Sequence, residues 1–514
     1  MKKKICILNK FTKIIFSLFL LSGLTNTLLS AGTKNEPIDS IPEYKIALSP
    51  GHGGKDEFGR KKTGDSWYYP AQKFCRGYSS GTRHKNLTEE KIVQNIGQSI
   101  KKILDLTRTD KGWTEFKKLL TSLSKQKYFK RIMFNTELIR SRSWKDLDEK
   151  EKSGDSNRYF RMFDSPADYD KKGPKGIYYG RLSRINIFRP HLLVPLHLNT
   201  SGSKKWRGMH TVITPPYHIF KEISDAWKIN GLKGIEKLKN PWLEIWNNSS
   251  SSRTRASWAA NDCSTYFTGR RLNKHAEYFS NTFIGIRHLM VSWTFNSFPM
   301  YLKGFPEKTK NNWPYLVSKI KKPFSQIFSN PFLEREKSRF EKLRRSGGPL
   351  KFGGHNHYAG LEIIKFTRLW LYKCLKTEFE KNNKTPFPDC REITGPILPP
   401  AVSDWSEPML TNAVTAYLEL GLITNKQDRL LLLSYPKRFA QGIALGIYSL
   451  FSGLNPINPK GADQIPKGEK IDWNLYNLNH NEQEYYQNLM LRAFDIKNKN
   501  APLIKNWFDC TWMN

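Results

Sequence analysis

The chain has 514 residues, of which 25% are charged and 13% aromatic, a globular composition that excludes a disordered or fibrous protein. Its formal net charge is +38. Six cysteines without C-x-x-C spacing exclude a disulfide framework and a cysteine-rich zinc site, and leave room for one bridge, Cys374–Cys390, that nothing in the sequence supports.

Lys2, Lys3, Lys4, Lys10 and Lys13 precede an apolar run from Ile14 to Leu24, and small residues follow to Ala31. This pattern predicts a signal peptide over 1–31 and hence export to the periplasm or cell envelope, the alternative being an uncleaved N-terminal anchor. Removing its five lysines leaves +33. Such an excess suits anionic envelope polymers or membrane surfaces, unless it reflects only a lysine-rich composition. No later stretch is long and apolar enough to span a bilayer, so no stable membrane span is expected after cleavage.

Tyr44–Ser49 predicts a short strand that Pro50-Gly51-His52-Gly53-Gly54 breaks. A polar loop runs to about His84, and a helix is expected from about Thr88, with Ile92, Ile96, Ile100, Ile103 and Leu104 on one face. Residues 108–180 read as irregular, with a strand at Phe129–Phe134. Arg181–Ile187 predicts a helix, His191–Leu198 a buried strand and Met209–Thr214 another. Residues 215–400 change character, with seven tryptophans, the Ser249–Ser252 run and two helical stretches near Pro331–Arg345 and Leu361–Glu380. Ala413–Leu418 then predicts a strand ending at Glu419, Pro436–Phe451 a closing helix, and the residues after Gly453 a polar surface tail.

Strand–loop–helix units at both ends predict an α/β fold: an open, twisted, mostly parallel sheet with helices on both faces, interrupted by a long mixed insertion. The expected organisation is a catalytic domain over 41–214 and 401–455, an insertion over 215–400 and a tail over 456–514. Sites in such sheets form at the carboxyl ends of strands. His52, His197 and Glu419 fall at or just past such ends, and Glu89 opens a helix.

Two histidines, one ligand carboxylate and one free carboxylate suit zinc hydrolysis. Three N or O ligands leave an open position for a water acidified to a pKa of roughly 7, and a separate carboxylate moves protons. Each member has a plainer reading. His52 could satisfy its turn, Glu89 could neutralise helix amides, and His197 could be a core histidine. Glu419 in an apolar strand is harder to explain away, because a buried carboxylate is costly unless paired or used.

The neighbourhoods, taken in order, resemble a family. I46-A-L-S-P-G-H-G-G-K-D56, L87-T-E-E-K-I-V-Q-N-I-G-Q-S-I100, R181-L-S-R-I-N186 with L196-H-L-N199, and L418-E-L-G-L-I-T-N425 resemble the zinc-dependent N-acetylmuramoyl-L-alanine amidases of type 3. The resemblance covers roughly 45–105, 180–214 and 410–452. It implies one zinc held by His52, Glu89 and His197, with Ile92, Ile96 and Ile100 selecting Glu89 over Glu90. It implies Glu419 as general base and acid, and Asn199 as a substrate or orienting residue, or a structural one.

The implied reaction is hydrolysis of the amide between the lactyl group of N-acetylmuramic acid and L-alanine in peptidoglycan. Two alternatives stay open: another zinc peptidase of the cell wall, and an inactive peptidoglycan-binding protein. A nucleic-acid partner is not expected, since no binding motif accompanies the charge.

The sequence departs from the family's pattern in three places. Ser49 stands where the family has an acidic residue. Thr107-Arg-Thr-Asp110 resembles the family's Thr-Arg-x-Asp strand motif but follows the Glu89 helix directly, so it reads as a decoy. His197 and Glu419 are 222 residues apart. The intervening insertion is read as a cover over the site or as the docking place of a protein activator. Its tryptophans suit sugar rings or a core of their own, and His355-Asn356-His357 reads as a solvated loop rather than a metal site.

Overall fold

In the computed structural model of the chain, the described residues are 41–54, 66–68, 73–75, 80–124, 126–143, 146–148, 159–162, 165–166, 169–170, 173–174, 177–203, 205–246, 255–268, 339–381, 386–403, 406–464 and 471–478. The leader expected over 1–31, the serine run, Trp293 and Trp313 lie outside them.

One seven-stranded sheet organises residues 43 onward. Its strands are β1 (Glu43–Pro50), β2 (Met133–Leu138), β3 (Leu192–Asn199), β4 (His210–Ile213), β5 (Ala401–Val402), β6 (Val414–Thr415) and β7 (Tyr417–Leu422). The spatial order is β5-β4-β7-β3-β1-β2, with β6 also on β3. All pairings are parallel except β4 with β7. The mostly parallel α/β fold expected from the sequence is therefore present. Parallel strands covered on both faces read as continuous apolar runs, and β1, β3 and β7 do.

Among the helices of the described residues are α1 (Glu89–Asp105), α2 (Asp110–Leu123), α3 (Arg181–Phe188), α4 (Tyr217–Glu236), α5 (Pro241–Ile245), α6 (Arg255–Thr268), α7 (Gly354–Glu380) and α8 (Pro436–Ser452). On α1, Ile92, Ile96, Ile100 and Leu104 are fully or nearly fully buried in the main core. A Cβ at Gly97 would stand 2.9 Å from the Pro50 ring, so glycine there lets α1 lie close on the end of β1. That contact sets the distance between the turn after β1 and the first residue of α1. The opposite face of the sheet is covered by α3, where Ile185 and Phe188 meet Ala47, Leu193 and Ala413.

Several elements differ from their expected form. Residues 110–123 are a helix, capped by Thr109, whose hydroxyl accepts from the Gly112 amide at 3.1 Å. Thr107–Asp110 is thus a helix–helix junction. The strand expected at Phe129–Phe134 is β2, four residues later. Glu419 is the third residue of β7 and not a residue beyond its end.

The Leu361–Glu380 helix begins at Gly354, so His355 and His357 lie in its first turn and not in a solvated loop. His355 is 6% exposed and pairs through Nδ1 with the Tyr476 hydroxyl at 2.6 Å. Nor is all of the tail at the surface. Ile471, Trp473 and Tyr476 are buried, and Trp473 stacks on Phe451 at 4.1 Å. Cys374 and Cys390 are free thiols, so the bridge between them does not form.

A candidate metal centre and its acid neighbour

Gly51 closes β1 by donating its amide to the Leu196 carbonyl at 2.8 Å, which locks the turn onto β3. His52 follows in the left-handed region with φ 60, a conformation uncommon outside glycine and worth reading as a functional constraint. Its side chain is 30% exposed, while Glu89 and His197 are buried.

His52 Nε2 lies 3.4 Å from Glu89 Oε2, and His197 Nδ1 lies 2.8 Å from Glu89 Oε1. One donor atom from each residue falls within 4.8 Å of the others, a spacing that suits one metal ion. The surroundings are built close around this cluster. A Cβ at Gly51 would sit 2.2 Å from the His197 ring, and one at Gly81 2.3 Å from the Glu89 carboxylate. Both glycines give His197 and Glu89 space that any side chain would fill.

The Glu89 carboxylate is oriented by amide donors from Leu198 at 2.9 Å and Thr82 at 2.7 Å. Burial pushes its pKa up, but the hydrogen bond to His197, the two imidazoles and the Leu198 amide outweigh that and hold it well below the usual carboxylate range. Glu90, the other acid of the pair, faces away and meets Arg140 at 3.3 Å.

Arg140 and Arg181 brace the turn, and only Arg181 falls in a segment that the sequence singles out. Arg140, just past β2, is 1% exposed and donates to the carbonyls of Pro50, Gly51 and Glu90 at 3.0–3.2 Å. Burial lowers its pKa to about 9, so it stays charged at neutral pH. Arg181, first residue of α3, donates to Ser49 Oγ at 2.6 Å, to the Pro50 carbonyl at 3.0 Å and to Glu407 at 3.3 Å. The Ser49 hydroxyl also bonds Glu407. Glu407, from the short helix Ser406–Leu410, thus brings a carboxylate to both Ser49 and Arg181. The shift of β2 hid Arg140, and no local signal marks Glu407.

Glu419 lies opposite His197 on the neighbouring strand, and opposite His210 on the other side. The three residues form a row across β3, β7 and β4. Tyr417, two residues before Glu419, stacks on the His197 ring at 4.6 Å. Glu419 is 2% exposed, and its Oε2 has no hydrogen-bond partner. Burial first, then the nearby Glu89 charge, raises its pKa well above the ordinary carboxylate value. Such a shift lets the group hold a proton more readily than an ordinary carboxylate.

The β3–β7 register breaks between His197 and Asn199, an irregularity of the kind that re-aims side chains beside active sites. Asn199 Oδ1 accepts from the Thr200 amide, and Nδ2 approaches His210 Nε2 at 3.2 Å. Burial lowers the His210 pKa to about 4, so the ring is neutral, with Nε2 accepting and Nδ1 carrying the proton. That Nδ1 is also buried without a partner.

No protein-family model matches the chain, and no curated protein resembles it significantly in sequence. Among solved structures, the N-acetylmuramyl-L-alanine amidase Ami1 from Mycobacterium smegmatis is similar over 80% of this chain and 98% of its own, at 14% identity and TM-score 0.30. The CwlD amidase from Clostridioides difficile, solved with the GerS lipoprotein, matches over 80% and 100% at 10% identity and TM-score 0.27. The catalytic domain of CwlV, an N-acetylmuramoyl-L-alanine amidase from Bacillus (Paenibacillus) polymyxa var. colistinus, matches over 80% and 99% at 11% identity and TM-score 0.25. Among the described residues, no helix is long and apolar enough to cross a membrane.

Proposed function

We propose that the chain is a zinc-dependent hydrolase of the amide between the lactyl group of N-acetylmuramic acid and L-alanine in peptidoglycan, acting in the cell envelope. The observation that carries this reading is the convergence of four residues from remote segments. His52, Glu89 and His197 offer donor atoms within 4.8 Å of one another, and Glu419 lies across from His197 with a buried, unpartnered carboxylate oxygen. The order of the sequence motifs supports the substrate assignment.

Two imidazoles and one carboxylate are a donor set that zinc favours, and the glycine-lined space around them fits an ion. In this reading His52, Glu89 and His197 would hold one zinc per chain, which would supply Lewis acidity and an acidified water. Glu419 takes a proton at Oε2 and returns it to the leaving L-alanine amine, a role that suits a carboxylate whose pKa is raised by burial. Arg140 and Arg181 keep the His52 turn in place through the Pro50 carbonyl. Asn199 orients His210, or a substrate group, at the edge of the site.

The test is digestion of purified cell wall with the metal-loaded protein, followed by mass spectrometry. Intact glycan and free peptides beginning with L-alanine are expected. Cleavage within the peptide would overturn the bond assignment. No cleavage, with one zinc bound, would favour a binding protein.

A further inference from the structure

The helix Lys426–Ser434 follows the strand that carries Glu419 and packs on β7 and α8. Asn425 caps it, its side chain accepting from the Gln427 and Asp428 amides at 2.9 and 3.2 Å. The inward side is formed by Asp428, Leu431 and Leu432, all buried. At roughly 3.6 residues per turn, the opposite side is centred on Lys426, Leu430 and Leu433. A surface helix ordinarily turns its apolar stripe to the core and its polar residues to water. This one keeps leucines on both sides. Leu430 is 51% and Leu433 42% exposed, and Tyr435, just past the helix end, is 42% exposed.

The charge around these three side chains has one sign. Between Lys426 and Arg438 stand Lys426, Arg429, Lys437 and Arg438, and a single acid, Asp428. Asp428 is 4% exposed and points inward, accepting from the Gly208 and Leu422 amides at 2.8 and 3.0 Å. Arg438 is matched by Glu378 at 3.2 Å, and Arg429 donates to the Ile423 and Asn425 carbonyls at 2.8 and 3.3 Å. Lys426 and Lys437 are exposed on either side of the apolar group. The neighbouring helix Cys390–Thr394 adds Arg391 and Glu392, whose charges offset each other.

The chemistry of this face separates the partners that could cover it. A second copy of the chain would bring the same lysines against each other, which like charges oppose. A bare polyanion would engage the lysines and leave the leucines in water. A bilayer with anionic headgroups engages both. Leucines enter the headgroup boundary, a tyrosine ring suits the interface, and lysines lie at the level of the phosphates. We propose that the outward face of the helix Lys426–Ser434, with Tyr435 and Lys437, is a docking surface for an anionic lipid membrane. The excess positive charge of the chain draws it to such a surface, and the leucines decide which face lands. Because the helix follows β7 directly, docking sets the distance of the Glu419 strand from the bilayer. This contact depends neither on zinc nor on which bond is cleaved.

Flotation with vesicles of phosphatidylcholine and phosphatidylglycerol tests the assignment. It uses the chain from Glu43, where the compact unit holding the whole sheet begins, so that the basic leader adds nothing. The parent is expected to bind these vesicles and to ignore vesicles of phosphatidylcholine alone. Lys426→Gln with Lys437→Gln should lower the partition coefficient about 10- to 30-fold, at about fivefold per lysine. Leu430→Ser with Leu433→Ser should lower it at least about tenfold with the melting temperature unchanged, since both side chains face solvent. Lys111→Gln with Lys118→Gln removes equal charge from the exposed side of α2 and should cost less than about threefold. A parent that does not bind overturns the surface. So does a leucine variant that binds like the parent, the mark of a polyanion site, or an α2 variant that loses as much as the Lys426 and Lys437 pair. A parent dimer that the leucine variant splits, seen by sedimentation, overturns it too, because protein then covers the face.

Discussion

Replacing Glu407 with alanine tests whether this remote carboxylate holds Arg181 beside Ser49. Glu407 and Arg181 are each 2% exposed at the side chain, 3.3 Å apart. Removing one partner of a buried pair strands the other charge, which costs about 3–5 kcal/mol. That is a large fraction of the roughly 5–15 kcal/mol that holds a folded domain together.

The informative measurement is a double-mutant cycle by urea unfolding. Ser49 Oγ lies 2.6 Å from Arg181, so an aspartate there can reach the same guanidinium. In the parent, Ser49→Asp places two carboxylates against one arginine and should destabilise. With Glu407→Ala already made, the same change restores a partner and should recover about 2 kcal/mol or more, a reversal of sign that only direct coupling produces. The reasoning is refuted if Glu407→Ala costs less than about 1 kcal/mol, or if Ser49→Asp has the same sign in both backgrounds.

Glu419→Gln should lower amide cleavage by about 10²- to 10⁴-fold while zinc content and melting temperature stay at or above the parent's, since the amide removes a buried charge; undiminished cleavage sinks the proton role. Gly51→Ala puts a methyl group against the His197 ring, so zinc affinity by competition with a chelator should fall about 10- to 100-fold, and an unchanged affinity would show that the ring has room to move. Burial holds His191, His210, His355 and His357 at a pKa of about 4, below the 6.5 of the unfolded chain. Groups with depressed folded values give stability that is complete above pH 6.5 and drains away as pH falls toward 4, by roughly 3 kcal/mol for one such histidine. Unfolding free energy that is flat between pH 6.5 and 4 would contradict it.

What the sequence revealed follows from how local each signal is. The strands β1 and β3 are apolar runs ended by Pro-Gly or by polar residues, and α1 carries its apolar face at helical spacing, so their limits are legible to within about two residues. The sheet-edge strand β2 mixes Asn135, Thr136 and Glu137 into its length, and its apolar signal fades where pairing begins. The helix α2 opens on Asp110-Lys-Gly, which reads as a turn until Thr109 is seen capping it. Contacts between distant residues left no trace. Glu407 finds Ser49 across 358 positions, and His355 finds Tyr476 across 121. The candidate site was legible because each member sits beside its own punctuation, a Gly-rich turn, a helix start or a polar residue in an apolar strand.

The region 215–400 shows where that method stops, because its described parts serve two different ends. One part, in α5 and α6, walls a cavity beside Glu419 through Glu244, Trp258 and Asp262. The other is core. Ile363, Trp370 and Leu371 of α7 are buried with the sheet strands and α8, and Gly442 and Gly446 let the two helices approach until a Cβ would stand 2.9 and 3.1 Å from the α7 backbone. Arg344, fully buried in the helix Arg339–Arg345, which falls within the helical stretch expected near Pro331–Arg345, donates to the carbonyls of Thr411 and Ala413 at 2.7 and 2.9 Å, just ahead of β6 and β7. The strand that carries Glu419 is thus held from behind by residues a sequence boundary assigns to an insertion. Loss of a single buried aromatic such as Trp370 costs about 3–5 kcal/mol, so removing 215–400 whole would take away more than the fold's net stability. The two parts therefore separate at α7: changes in α5 and α6 act on the wall of the cavity, while changes in α7 act on the position of Glu419 itself.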